Sequence, residues 1–169
     1  MTVYVGIDPG PKTSGLVVYH TGDRYPLWPG VVTTAKPRVD LDGVRKLLHH
    51  LKYGQGLTFE VVLERTTAGP PSSAVVETTI IVGRIIELCF QRNITVHTVT
   101  RNEVRRRFGA APKGADTHIR SEIIRMHPYN AAAHITRSRQ SPLYGMSTHS
   151  WAALAAVLTH IERSKHNVV

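Results

Sequence analysis

Thr2-Val3-Tyr4-Val5-Gly6-Ile7-Asp8-Pro9-Gly10-Pro11, with Gly15-Leu16-Val17-Val18-Tyr19 close behind it, is the stretch that decides the fold. Val, Ile and Tyr between Thr2 and Asp8 suit a pleated strand, and the Pro9-Gly10-Pro11 cluster ends it because proline has no N–H to give a ladder. Gly15 to Tyr19 reads as a second strand. The connection is too short for a crossover, so the two pair antiparallel. A third extended stretch near Gly30 to Thr34 follows the Gly22-Asp23 turn and the Pro26/Pro29 segment. Together they make a three-stranded meander.

Beyond it the punctuation changes. Leu41, Val44, Leu47, Leu48 and Leu51 have helical spacing, with Asp40 as N-cap of a helix to Tyr53. Leu57 to Glu64 is then a strand, Ser72 to Arg92 a long helix, and Ile94 to Val99 another strand. This βαβαβ order implies parallel pairing, hence an α/β fold with a mixed five-stranded sheet flanked by helices. Thr100-Arg101-Asn102-Glu103 has the capping-box form and opens a short helix to about Phe108. Asp116 to Met126 is a further helix, Pro128 to Ser147 a polar loop, and Thr148 to Arg163 the last helix.

At 169 residues and 41% hydrophobic content, the chain is expected to form one domain, 1–169. Lys and Arg outnumber Asp and Glu by 21 to 12, a net charge of +9 that attracts polyanions and makes nucleic acid the leading partner. The lone Cys89 excludes an internal disulfide and points to a reducing compartment. None of the ten histidines sits in a Cys/His metal-ligand spacing. Met1 to Gly10 lacks the basic and apolar regions of a secretory signal, so the expected location is cytoplasmic. No membrane span, basic amphipathic helix or lipidation signal is visible, and no small-molecule cofactor is expected.

Asp8 stands at the end of the first strand and Glu64 at the end of Phe59-Glu60-Val61-Val62-Leu63-Glu64. If these strands are adjacent and parallel, both carboxylates emerge at one sheet edge, as Mg²⁺ bridging to a phosphodiester requires. The same pattern is also met by ordinary strand-end acids. Residues 101 to 125 carry seven basic side chains, Arg101, Arg105, Arg106, Arg107, Lys113, Arg120 and Arg125, against Glu103, Asp116 and Glu122. Such a stripe is either a solvated face or a phosphate-binding one. Lys12 and Thr13 in the first turn, and Arg65 after Glu64, join these candidate DNA contacts. The Ser72–Arg92 helix has apolar residues at Val75, Val76, Ile80, Ile81, Val82, Ile85, Ile86, Leu88, Cys89 and Phe90, too broad a stripe for one sheet contact. Either a second copy or the final helix covers the remainder.

Gly6-Ile7-Asp8-Pro9-Gly10, Gly15-Leu16-Val17-Val18, Val61-Val62-Leu63-Glu64 and the helix Trp151 to His160 together resemble the RuvC-type Holliday junction resolvases. The helix carrying Gly83, the Glu103–Arg107 segment and Lys113–Arg120 fall in the same order, so the likeness spans nearly the whole chain. It implies a ribonuclease H-like fold, a homodimer, and nicking of four-way DNA junctions with Mg²⁺ or Mn²⁺, two ions per active site, in a bacterial or phage-infected cell. It also implies that Asp8, Glu64 and His149 are metal ligands and catalytic residues.

Ala152 departs from the pattern. In His149-Ser150-Trp151-Ala152-Ala153-Leu154-Ala155 it stands where the resemblance expects the final metal-binding Asp. Either the chain is an inactivated Asp-to-Ala variant or its ligand is naturally lost or relocated; the unbroken match around the position favours the first. Thr117 stands where a Lys is usual, and Thr66 and Thr67 where relatives often carry a wedging aromatic. Competing readings are a non-catalytic junction-binding protein, which Ala152 would allow, and a YqgF-type RNA-processing nuclease, which shares the Asp-Pro-Gly opening. An actin-like ATPase or sugar kinase would need far more chain.

Overall fold

A computed structural model describes residues 2–11, 13–21, 25–33, 41–65, 72–111, 114–126, 143 and 146–166, with the backbone alone at 13 and 25–33. Five strands, β1 (Val3–Asp8), β2 (Thr13–His20), β3 (Tyr25–Thr33), β4 (Phe59–Arg65) and β5 (Val96–Thr100), form one sheet in the order β3-β2-β1-β4-β5. β1 pairs antiparallel with β2, and β2 with β3; β1 to β4 and β4 to β5 are parallel. The expected mixed topology is therefore present. β3 is longer than expected and contains Pro26 and Pro29. It lies at the sheet edge, where a missing N–H costs no ladder bond. The pairing slips between Val18 and Tyr19, absorbing an extra residue of β3.

Among the described residues five helices flank the sheet: α1 (Leu41–His49), which runs into a π-helical turn at His50–Gly54, α2 (Ser73–Phe90), α3 (Arg101–Arg107), α4 (Ala115–Met126) and α5 (Thr148–His166). Ser72 caps α2 by accepting from the Val75 N–H at 3.3 Å. The capping box at α3 is complete, with Thr100 Oγ1 accepting from the Glu103 N–H at 3.2 Å and Glu103 Oε2 from the Thr100 N–H at 2.6 Å. Asp40 and most of the 128–147 loop lie outside the described residues.

Strand alternation divides the core. Val3, Val5 and Ile7 pack with Val61, Leu63, Val44, Leu48, Ile81 and Ile85 beneath α1 and α2. Tyr4 and Val62 face the other side and pack with Val104, Ile119, Ile123 and the α5 run Ala153–Leu158. Apart from the half-buried Ala152, α5 is buried from Ser150 to His160 because the sheet covers one side and α3 and α4 the other, which explains its apolar sequence there. The two long helices α2 and α5 thus lie on opposite faces of the sheet. The reading in which the final helix covers α2 is overturned: α1 is its helical neighbour, and Val76, Ile80, Ile86 and Phe90 stay exposed.

Two glycines bring α5 down onto the sheet. A Cβ on Gly15 would lie 2.1 Å from the His149 carbonyl, and one on Gly6 would lie 2.6 Å from the Ala153 carbonyl. Neither position has room for a side chain. The strand motif that decides the fold therefore also sets where α5 begins, and with it the position of His149.

Candidate active site

The register between β1 and β4 ends at Ile7 opposite Leu63, so the next residues, Asp8 and Glu64, emerge side by side at the C-terminal edge of two parallel strands. Alternation aims both toward α5, on the face that holds Gly6 and Val62. His149, in the first turn of α5, meets Asp8 there, its Nδ1 lying 2.8 Å from Asp8 Oδ2. These three side chains line a cleft of about 330 Å³ together with Arg101, Asp116, Thr117, Arg120, Trp151 and Ala152.

Glu64 is the most constrained of them. Its side chain is 11% exposed, and its Oε2 is buried with no hydrogen-bond partner among the described residues. Burial, then the neighbouring Asp8 charge, push its carboxyl up to about 7 against the opposing pull of Arg101 and Arg105. Arg101 reaches Glu64 Oε1 at 3.6 Å and also pairs with Asp116. The hydrogen bond to Asp8 raises the His149 pKa and outweighs the loss of solvation. Ala152 contributes only a methyl group to this wall.

The basic stripe divides. Arg101 and Arg105 lie on the Glu64 side of α3, beside Gly114, Asp116 and Thr117. Arg106 and Arg107 instead line a separate hollow with Glu162 and Arg163 near the end of α5, and Arg107 pairs with Glu162 at 3.5 Å. The basic side chains of α3 therefore line two different hollows. Arg120 lines the cleft with its guanidinium 5.2 Å from the Trp151 ring centroid, and Arg65 is exposed at the end of β4. Lys12, Lys113, Thr66 and Thr67 lie outside the described residues, and Thr13 is described in its backbone only.

No family model matches the sequence, and no curated protein matches it closely. Solved structures do. The RuvC of Thermus thermophilus in complex with Holliday junction substrate matches with TM-score 0.68 at 18% identity, over 98% of this chain and 96% of that one. A second Thermus thermophilus RuvC structure gives TM-score 0.68 and 18% identity, covering 98% and 97%. The fold is that of RuvC. The RuvC-like, ribonuclease H-like architecture accounts for the strand order and the last helix crossing the sheet face.

Sequence reasoning misses one member of the site: Asp116 reads there only as an acid within the basic stripe, while Arg101 reads as a phosphate contact and not as a partner of the acids. The structure brings them together with Glu64. Their convergence depends on how α4 docks against α5, which no local pattern encodes. The one available signal was Asp116 in the first turn of a helix after Gly114.

Proposed function

We propose that the chain belongs to a divalent-metal-dependent, structure-selective endonuclease that acts on four-way DNA junctions as a homodimer, making paired symmetric nicks. The observation that carries this reading is the meeting of Asp8, Glu64 and His149 in one cleft of a RuvC-like fold.

The cleft suits a divalent cation. A buried carboxylate oxygen without a partner, a second carboxylate beside it and an imidazole form a donor set for Mg²⁺ or Mn²⁺, with Asp8, Glu64 and His149 as holders. When bound, such ions supply a water of lowered pKa and a counter-charge for the leaving 3′ oxygen. Asp8 orients the His149 ring through Nδ1 and favours its protonated form, so ligation through this ring would release that proton. In this reading Arg101, Arg105 and Arg120 take the phosphates flanking the scissile one, a contribution that positions the backbone without reading bases. Ala152 offers no donor, so the chain as it stands binds junctions and cleaves weakly or not at all.

The homodimer rests on α2. Val76, Ile80, Ile86 and Phe90 remain exposed along one side of that helix, with open space around Gly83 between them. A two-fold copy packed there would match the symmetry of a four-way junction. We also propose a reducing cytoplasmic location, in a bacterial or phage-infected cell, since the lone Cys89 can form no internal disulfide.

Two observations favour the non-catalytic alternative, a junction-binding protein: the missing donor at Ala152 and the pairing of Arg101 with both Glu64 and Asp116, which already supplies a cation to the acids. Nicking of a labelled four-way junction in Mg²⁺ or Mn²⁺, by this chain and by Ala152→Asp, separates the readings. Cleavage by the Asp variant alone supports an inactivated nuclease. Equal cleavage by both would move the missing ligand's role to another acid, with Asp116→Asn as the next comparison.

A further inference from the structure

A second cluster lies on the α5 face of the sheet, away from the cleft. Glu60 near the start of β4, His97 in β5 and His160 in α5 bring one ligand atom each to within 4.8 Å of one another. Glu60 Oε2 and His97 Nε2 are 2.7 Å apart, and the two imidazole rings stack at 4.0 Å between centroids. His160 is 5% exposed, and its Nδ1 is buried with no hydrogen-bond partner among the described residues. A buried imidazole nitrogen left over beside a histidine and a carboxylate is an unusual arrangement for hydrogen bonding alone.

We propose that Glu60, His97 and His160 form a site for a borderline divalent transition metal of the Zn²⁺ class, which clamps α5 to β4 and β5. Two nitrogens and one carboxylate oxygen are the donor set that Zn²⁺ prefers over Mg²⁺. His160 is available as a neutral ligand, since burial and the charges of His97 and Arg163 hold it down to about 4. Arg163 is itself engaged, donating to Glu103 Oε1 at 3.0 Å and to the Thr98 carbonyl at 3.3 Å. The side chains of His97 and Glu60 are 28% and 35% exposed, so ions can enter and water can complete the coordination. The site is separate from the cleft: four residues of strand from Glu60 to Glu64 span ~13 Å, and eleven residues of helix from His149 to His160 span ~16 Å. It does not depend on the nuclease reading.

The test is titration of the full chain, stripped with chelator, with Zn²⁺ alone, followed by calorimetry and by the visible absorption of the Co²⁺ form. The cleft is silenced in the background by Asp8→Asn with His149→Ala. We expect one saturable ion per chain in that background, a tetrahedral Co²⁺ spectrum and a rise in Tm on Zn²⁺ addition. Glu60→Gln or His97→Ala, both at partly exposed positions where folding can be checked by circular dichroism, should weaken binding by about 100-fold or more, beyond the loss typical of groups behind the ligands. Absence of saturable Zn²⁺ binding in the cleft-silenced chain would overturn the proposal. So would binding that His97→Ala leaves unchanged.

Discussion

Glu64 carries the sharpest consequence at the scale of single residues. Its carboxyl is pushed up to about 7 from an ordinary value of 4.5, so between those values the folded chain holds a proton that the unfolded chain has released. Stability from this group is complete below about pH 4.5 and is lost as pH rises through about 7, a decline on the order of 3 kcal/mol for so large a shift. In chelator, urea unfolding across this window should show that decline for the chain and a flatter profile for Glu64→Gln. Matching profiles would mean that the acid is better solvated than its burial implies. Asp8 and Glu64 were legible in the sequence because each closes an apolar strand run, where a carboxylate can only emerge at a sheet rim. Asp116, and the grouping of Glu60 with His97 and His160, were not. Those side chains meet through the docking of separate elements, and the histidines lack the sequence spacing of a local metal motif.

Among the elements, the contact between β2 and α5 determines the site. Gly15 lies against the His149 backbone so closely that a Cβ would sit 2.1 Å from its carbonyl. Gly15→Ala should therefore destabilise the protein by about 1–3 kcal/mol, the usual range for overpacking. It should also disrupt the His149–Asp8 hydrogen bond, seen as a fall in the His149 pKa by NMR titration. A variant of unchanged stability and pKa would show that α5 can lift without consequence. Strand and helix periodicities made the order of elements legible, and the capping box located the start of α3. Two details were not. β3 runs through Pro26 and Pro29 because an edge strand tolerates them, and edge position is a tertiary property. The covering of α2 was open because an apolar stripe states how much surface must be buried but not which partner buries it.

If α2 carries the two-fold interface, Ile80→Glu should reduce the sedimenting mass from two chains to one while leaving the circular dichroism spectrum intact. A monomeric parent chain, or a dimer indifferent to this change, would place the interface elsewhere or remove it. Net charge of +9 favours a nucleic-acid partner at this scale, but charge alone does not distinguish binding from cleavage. The cleft does, through a single position. The most direct test compares the chain with Ala152→Asp on a labelled four-way junction in Mg²⁺ or Mn²⁺, with linear duplex as control. Paired symmetric nicks from the Asp variant, at least ~100-fold faster than from the parent, are the predicted result for restoring a metal ligand. Tight junction binding by both proteins with nicking by neither would contradict the nuclease reading and leave a structural DNA-binding role in its place.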